Sequence, residues 1–343
     1  MNVLFLGLGG VGQRHLRVLK KLFPSVNIYA VRKKNRNSEI TDQLQLDTSV
    51  NIEEKYNINN CKTINDAVGF KLDFAIVSNP TSLHVETTLN LLEHKIPVLI
   101  EKPLSNNNNN IDKLFKLSKK NNTLLSVAFM MRFHPCSIKL REYIETEAIG
   151  KIYNVAVNVN SFFPEWHNYE KYNEFYAGRR DLGGGVVLTE IHEIDLLSLL
   201  FGKPECLFVV GGKRSSFDID VEDNVSILMK FKKDGYEFSS TLNMSYVQKS
   251  PFRNITILGE HGNILWDMVE NVISINNYTD SLSEVLSFED FQRNDMFEKQ
   301  LLNFVKLINS NEKIDKILKD SIGGHEIAMA IKESLSTGLV VSL

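Results

Sequence analysis

Lys102 and His192 are the side chains of this sequence best suited to move a proton. Lys102 stands between Glu101 and Pro103 at the end of an apolar stretch. Burial disfavours the charged form of lysine, so a lysine at the end of a buried strand indicates a functional or structural role. It could donate to a substrate hydroxyl and lower the pKa of that hydroxyl, or it could form a structural salt bridge with Glu101.

His192 lies in a segment that opens on three glycines at 183–185. We expect one helix from Gly185 to Phe201, in which His192 and Asp195 share a face. A carboxylate at this spacing can fix the imidazole tautomer and raise its basicity, although a buried core histidine fits the same pattern. The glycines favour close approach of a ligand or of another backbone segment. No third ligand supports a metal site.

A dinucleotide site is indicated by the glycines that follow the first apolar strand and precede an amphipathic helix. Gly7 permits a tight turn, Gly9 lets the backbone approach a pyrophosphate, and Gly12 lets the helix pack closely. The first amides of the helix, at Gly10 and Val11, would then face the phosphates. The alternative is a glycine-rich turn without a ligand.

The choice of cofactor depends on Arg32, which lies 20 residues after Gly12 at the end of the second strand. An NAD-binding unit usually has an acidic residue there. Here Arg32 is followed by Lys33, and the first carboxylate is Glu39. A guanidinium suits a 2′-phosphate, so we expect NADP in preference to NAD. The alternative is a solvated basic turn.

Short strands alternate with amphipathic helices in the first third of the chain, which predicts an α/β Rossmann fold with a doubly wound parallel sheet. Ligands of such sheets bind at the carboxyl ends of the strands. The strand candidates are Val3–Leu6, Asn27–Val31, Asp73–Ser78, Val98–Glu101 and Leu124–Phe129, and the helix candidates are Thr41–Tyr56, Leu83–His94 and Ile111–Asn121.

After about residue 150 the pattern becomes β-rich and predicts an α+β domain with an open-faced, mainly antiparallel sheet. We expect a dinucleotide-binding Rossmann domain over residues 1–123. A substrate-binding and oligomerisation domain is expected over residues 124–343, with C-terminal helices that pack back on the first domain.

Composition excludes several classes of function. The net charge of −3 argues against a nucleic-acid binder, and no apolar run is long enough for a membrane span. The three cysteines are far apart and lack metal-ligand spacing. We therefore expect a cytoplasmic protein with a small-molecule substrate.

Several stretches of the sequence, in their order and spacing along the chain, resemble those of the Gfo/Idh/MocA oxidoreductases, the group of glucose–fructose oxidoreductase and inositol dehydrogenase. The resemblance implies a sugar or polyol substrate and a homo-dimer or homo-tetramer built through the second sheet. It also implies that the cofactor contacts Ser78, Asn79, Pro80, His84, Glu101 and Lys102. The matching stretches are Gly7–Gly12, Asn79-Pro80-Thr81 with His84, Glu101-Lys102-Pro103, Arg132-Phe133-His134-Pro135 and Gly183–Asp195.

In that family the lysine and the histidine act on the substrate hydroxyl, and these correspond to Lys102 and His192. Many members have an aspartate four residues before the histidine, where this chain has Leu188. That departure leaves Asp195 or Glu190 as the carboxylate that assists His192.

Aromatic and basic residues between positions 164 and 180 are candidates for holding the substrate, since aromatic rings stack on sugar faces and arginine suits a carboxylate or phosphate. This part resembles members associated with bacterial surface-sugar synthesis, so an activated sugar or a sugar acid is expected. An interface is the alternative. The expected substrate-binding residues are Arg132, His167, Tyr176, Arg179, Glu190 and His192.

These features predict reversible hydride transfer between a sugar carbon and nicotinamide C4. His192 would take the hydroxyl proton, Lys102 would polarise the oxygen, and Asp195 would orient the imidazole. One alternative is an enzyme that retains its NAD and uses transient oxidation for elimination or glycoside hydrolysis. The other is a non-catalytic cofactor or sugar sensor that binds a protein partner, which the presence of both Lys102 and His192 disfavours.

Overall fold

Apolar segments in the N-terminal part of the chain form the strands that carry the glycine loop and Lys102. The computed structural model describes residues 1–33, 36–167, 169–279, 282–310 and 312–343. The strands of this part are β1 (Asn2–Leu6), β2 (Asn27–Val31), β3 (Ser38–Ile40), β4 (Leu46–Asn51), β5 (Ile58–Cys61), β6 (Phe74–Val77), β7 (Val98–Glu101) and β8 (Leu125–Ala128). The helices are α1 (Gly10–Leu22), α2 (Ile52–Tyr56), α3 (Ile64–Val68), α4 (His84–Glu93), α5 (Ile111–Asn121) and α6 (Pro135–Glu145).

Six of these strands form a parallel sheet in the order β5-β2-β1-β6-β7-β8. Strands β6 and β7 are buried along their whole length, as expected for a sheet covered on both faces. The loops after β1, β2, β6 and β7 lie at one edge, because parallel strands share their direction. The predicted Rossmann fold is therefore confirmed.

The first sheet extends past residue 123, where the sequence analysis ended the first domain. Strand β8 pairs in parallel with β7, and Leu125 lies opposite Val98. A division between residues 123 and 124 would therefore separate β8 from its own sheet, and the predicted boundary is too early.

The predicted helix Thr41–Tyr56 is wrong over most of its length. Strands β3 and β4 form a hairpin, and only α2 is helical. Leu44 has a positive φ of 58°, which a helix does not allow, and β-branched residues follow it in β4. Asn51 caps α2 by accepting a hydrogen bond from the Glu53 amide.

The second part of the chain contains the strands and helices that close the site. Its strands are β9 (Ile152–Phe162), β10 (Cys206–Gly212), β11 (Asn224–Lys233), β12 (Tyr236–Ser245), β13 (Val247–Gly259), β14 (Gly262–Asp267), β15 (Val272–Asn277), β16 (Leu282–Ser287) and β17 (Val341–Ser342). Its helices are α7 (Val186–Thr189), α8 (His192–Phe201), α9 (Arg293–Ile308) and α10 (Ile314–Thr337).

These strands form a nine-stranded sheet in the order β16-β15-β14-β13-β9-β12-β11-β10-β17. Its pairs are antiparallel except β9 with β12, which are parallel. Burial alternates along the strands, so that one face packs against the helices while the other exposes apolar side chains such as Val210 and Leu228. The predicted open-faced sheet is confirmed.

The C-terminal helices pack back on the parallel sheet. The Phe297 ring of α9 lies 5.2 Å from the His15 ring of α1, and Phe304 lies 5.5 Å from Phe74 of β6. Helix α9 therefore runs beside the glycine-loop helix. None of the described helices is long and apolar enough to cross a membrane.

Candidate active site

The glycine loop has the shape that a dinucleotide pyrophosphate requires. Gly7 has a φ of 96°, and the Ser78 hydroxyl donates to its carbonyl oxygen at 2.8 Å. A Cβ on Gly12 would lie 2.7 Å from both the Gly7 carbonyl oxygen and Ser78 Oγ, so only glycine lets α1 approach this closely. A Cβ on Gly9 would meet no described atom within 4 Å, which leaves space for a phosphate beside the amides that begin α1.

Lys102 joins the two parts of the chain. Its Nζ donates to the Thr189 carbonyl oxygen at 2.7 Å, across 87 residues of sequence. Glu101 is engaged elsewhere, because its carboxylate lies 2.6 Å from His15 Nε2 and accepts the Lys102 amide at 3.0 Å. Burial lowers the pKa of Lys102, and the charges of Glu101 and Glu190 oppose that shift.

A break in the predicted helix makes the Lys102 contact possible. We expected one helix from Gly185 to Phe201, but α7 ends at Thr189 and α8 begins at His192. In a continuous helix the Thr189 carbonyl would accept the amide four residues later. The break leaves that carbonyl free to accept Lys102 Nζ instead.

His192 is a buried, neutral imidazole beside Lys102. Its exposed fraction is 5%, and burial followed by the positive charge of Lys102 lowers its pKa well below 6.5. Its Nδ1 has no hydrogen-bond partner among the described residues. At neutral pH the ring can therefore accept a proton.

The predicted roles of Asp195 and Arg132 are wrong. Both oxygens of Asp195 accept from Arg132, at 2.8 Å from Nε and 2.6 Å from Nη2, and the described structure shows no hydrogen bond between Asp195 and His192. Arg132 also donates to the Asp320 carbonyl oxygen at 2.6 Å. Because Asp195 is fully buried, its negative charge needs a cation beside it. Arg132 supplies that cation, so its guanidinium is not free to bind a substrate.

The sequence also predicts that Arg179 binds the substrate. It is exposed and donates to both oxygens of Asp181, at 3.0 Å and 2.7 Å. Its guanidinium is therefore occupied at the surface by a carboxylate two residues away, so the structure does not support a substrate contact.

Tyr176, Glu190 and His167 each interact electrostatically with charged groups of the candidate site. Burial raises the pKa of Tyr176, and the charges of Glu101 and Glu190 raise it further. Burial lowers the pKa of His167 to about 4, and the positive charge of Arg293 adds to this shift. These three residues remain candidates for holding a substrate.

The expected cofactor residues after β6 are linked to the Lys102 turn. His84 is buried, and its two ring nitrogens lie 2.8 Å and 2.9 Å from the carbonyl oxygens of Pro103 and Asn79. It therefore fixes two strand ends and has no nitrogen left for the cofactor. The side-chain amide nitrogen of Asn79 donates to Thr87 Oγ1 at 2.9 Å, and Pro80 begins the turn into α4.

Arg32 lies at the end of β2, as predicted, but it is already paired. Its guanidinium contacts the Glu53 carboxylate of α2 and donates to Asn60 Oδ1 at 2.9 Å. Lys33 is exposed. A cofactor phosphate would have to compete with Glu53 for Arg32.

Two residues of this region, Arg253 and Arg293, were missed by the sequence analysis. Arg253 of β13 donates from Nε to Glu193 at 2.6 Å. Tyr169 lies over the glycine loop, with its hydroxyl 2.8 Å from the position of a Cβ on Gly10. Arg293 begins α9. Neither strand nor helix periodicity marks such residues, because their contacts span long stretches of sequence.

The described residues contain no group of three or more histidine, cysteine, aspartate or glutamate side chains that could hold a metal ion. The groups at this edge of the sheet that could act on a substrate include the Lys102 ammonium and the His192 imidazole.

A parallel sheet with this glycine loop, and with a lysine at the same edge, defines an NAD(P)-dependent oxidoreductase. A family model described as an oxidoreductase family with an NAD-binding Rossmann fold matches residues 1–129, and the GFO/IDH/MocA C-terminal domain matches residues 137–265. The chain belongs to the Gfo/Idh/MocA family, as its motifs predicted.

Individual relatives agree with this placement. Myo-inositol 2-dehydrogenase of Thermotoga maritima is 25% identical over 325 residues, which are 91% of this chain and 89% of that protein. The WlbA dehydrogenase from Bordetella pertussis, solved with NADH and UDP-GlcNAcA, has a TM-score of 0.78 and 17% identity over 100% of this chain and 98% of that one. Levoglucosan dehydrogenase, solved with NADH, has a TM-score of 0.78 and 16% identity over the same shares.

Replacing Asp195 with Asn tests whether this carboxylate is structural. We expect the free energy of unfolding, measured by urea denaturation, to fall by about 3 kcal/mol, because Arg132 loses its buried partner. Asp181→Asn, in an exposed pair, is the matched control and should change stability little. A variant with unchanged stability but lost turnover would instead support the original role of Asp195 beside His192.

Proposed function

We propose that this protein transfers a hydride between nicotinamide C4 and a CH–OH carbon of a sugar. The observation that carries the proposal is the contact of Lys102 with Thr189, three residues before His192, at the edge of the sheet that holds the glycine loop. The Lys102–Thr189 hydrogen bond fixes an ammonium group next to a neutral imidazole. A donor and a proton acceptor on one hydroxyl are what its oxidation requires.

The residues of the site divide the work between them. The loop at Gly7–Gly12 and the start of α1 would hold the dinucleotide phosphates, and the bound nicotinamide supplies the hydride acceptor. His192 takes the hydroxyl proton, which its depressed pKa permits at neutral pH. Lys102 donates to the same oxygen and stabilises the negative charge that develops on it.

A retained cofactor is the second candidate, and the position of Tyr169 favours it. The Tyr169 hydroxyl covers Gly10, and the Arg36 guanidinium lies 5.7 Å from the centre of the Tyr169 ring. A cofactor beneath this pair would leave slowly, as transient oxidation with a held NAD requires. A sensor without catalysis is disfavoured, because it would not need both Lys102 and His192.

We also propose that NAD is preferred to NADP. The position of Arg32 in the sequence predicts NADP only if its guanidinium is free, but Glu53 pairs with it. A 2′-phosphate brought to Arg32 would meet the repulsion of Glu53, whereas a ribose hydroxyl could donate to that carboxylate.

The substrate class that we propose is an activated sugar or a sugar acid. The structural similarity to a dehydrogenase solved with UDP-GlcNAcA supports this class, as does the resemblance of the 164–180 segment to surface-sugar enzymes.

The exposed apolar face of the second sheet supports a homo-oligomer, because apolar patches of this kind are usually covered.

Lys102→Met is the direct test of the proposed chemistry. We expect kcat to fall by about 100-fold or more on any sugar that the wild type oxidises, while NADH affinity stays close to the wild-type value. In the wild type, kcat/KM for oxidation should fall only well below pH 6.5, as His192 gains a proton. It should also fall on the alkaline side, at a pH below the ordinary lysine value of 10.5, as Lys102 loses its proton.

The alkaline fall should be absent from the residual activity of Lys102→Met, because that variant has no ammonium group to titrate. Lys316→Met, at an exposed lysine paired with Glu312, is the matched control. Turnover by Lys102→Met at the wild-type rate would contradict the proposal.

Glu53→Gln tests the choice of cofactor. We expect wild-type protein to bind NADH more tightly than NADPH in a fluorescence titration, and Glu53→Gln to improve NADPH binding by about tenfold, because Arg32 then becomes free to pair with the phosphate. Glu54→Gln, one residue along in the same helix, is the control. Tighter binding of NADPH than NADH by the wild type would overturn the proposed preference.

A further inference from the structure

Arg293 is the first residue of α9, and the contacts of its neighbours in the helix show on which side of α9 it lies. The next residue, Asn294, accepts from Arg14 at 2.6 Å and donates to Asp42 at 2.9 Å, which ties the start of α9 to the glycine-loop helix. Phe297, four residues after Arg293, packs against His15. Residues four apart share a helix face, so Arg293 lies on the side of α9 that faces α1 and the Glu101 turn.

The charge of Arg293 reaches the catalytic groups. It contributes to the lowered pKa of Lys102, of His192 and of His167. Coulombic effects of this kind weaken with distance, so these shifts agree with the placement of Arg293 on the side of α9 that faces α1 and the Glu101 turn.

Arg293 differs from the other cations of the cleft because it has no direct partner there. Arg253 is held by Glu193 at 2.6 Å and has Glu190 at 3.7 Å, and Lys102 is held by the Thr189 carbonyl. Arg293 is exposed, and among the described residues it forms neither a hydrogen bond through its side chain nor an ion pair. Desolvation of its guanidinium and the charge of Arg253 lower the pKa of Arg293. The charges of Glu190 and Glu101 oppose that shift without either carboxylate pairing with it directly, so its guanidinium is available to a further anion.

We propose that Arg293 binds an anionic group of the substrate, so that the sugar carries a carboxylate or a phosphate close to the reacting carbon. This inference rests on the proposed function and names the substrate class of the same site. The planar guanidinium matches either anion by two parallel hydrogen bonds. The cofactor phosphates are the other possible source of an anion, but the amides at the start of α1 would serve them.

Binding measurements test this assignment without requiring turnover. The probes are D-glucuronate, D-glucose 6-phosphate and UDP-N-acetylglucosamine, each compared by calorimetry with its neutral parent, D-glucose or N-acetylglucosamine, on protein saturated with NADH. At least one anionic sugar should bind more tightly than its parent by about tenfold to a hundredfold. Arg293→Met should remove this preference, and Arg293→Lys should keep part of it.

The matched control is Arg179→Met, because Arg179 is an exposed arginine whose partner is Asp181. Equal binding of every anionic sugar and its neutral parent, or a full preference that survives in Arg293→Met, would overturn the inference. A tenfold or greater loss of NADH affinity in Arg293→Met would also overturn it, since the anion would then be the cofactor's.

The two proposals fail in different ways. Arg293-dependent binding of an anionic sugar that is never oxidised would contradict hydride transfer and leave the anion site standing. Oxidation of a neutral sugar without any anionic preference would retain the proposed function and reject the role of Arg293.

Discussion

The hydrogen bond from Lys102 Nζ to the Thr189 carbonyl is the interaction on which the site depends. It joins the end of a buried parallel strand to the break between α7 and α8, and so sets the distance between the two parts of the chain. Because the ammonium group is fixed there, its charge helps to keep His192 neutral. The same contact that assembles the cleft therefore prepares its proton acceptor.

The charged side chains of the cleft fall into two groups. Asp195 and Glu193 are each held by an arginine, and Glu101 by His15, so these carboxylates serve the architecture. Lys102 and Arg293 are the cations that these carboxylates do not hold directly. A site with paired carboxylates and available cations is suited to bind negative charge, including the charge that develops on a substrate oxygen during hydride transfer.

Local patterns in the sequence predicted the parallel sheet, the glycine loop and the positions of Lys102 and His192, because each depends on residues close together in the chain. The His192–Asp195 pairing failed for the opposite reason. Spacing on a helix brings two residues to one face, but Arg132, 63 residues away from Asp195, decided which partner the carboxylate has. The break after Thr189 and the hairpin in place of helix 41–56 likewise depend on tertiary contacts and turn residues that hydrophobic periodicity does not encode.

Deuterium transfer is the measurement that tests the central claim most directly. Purified protein would be incubated with NAD and with carbon-deuterated sugars, neutral and anionic, and the cofactor would be examined by mass spectrometry and NMR. We predict that deuterium from the oxidised carbon appears at nicotinamide C4. A sugar converted to product with no deuterium in the cofactor, bound or released, and none returned to the product, would contradict hydride transfer as the function of this site.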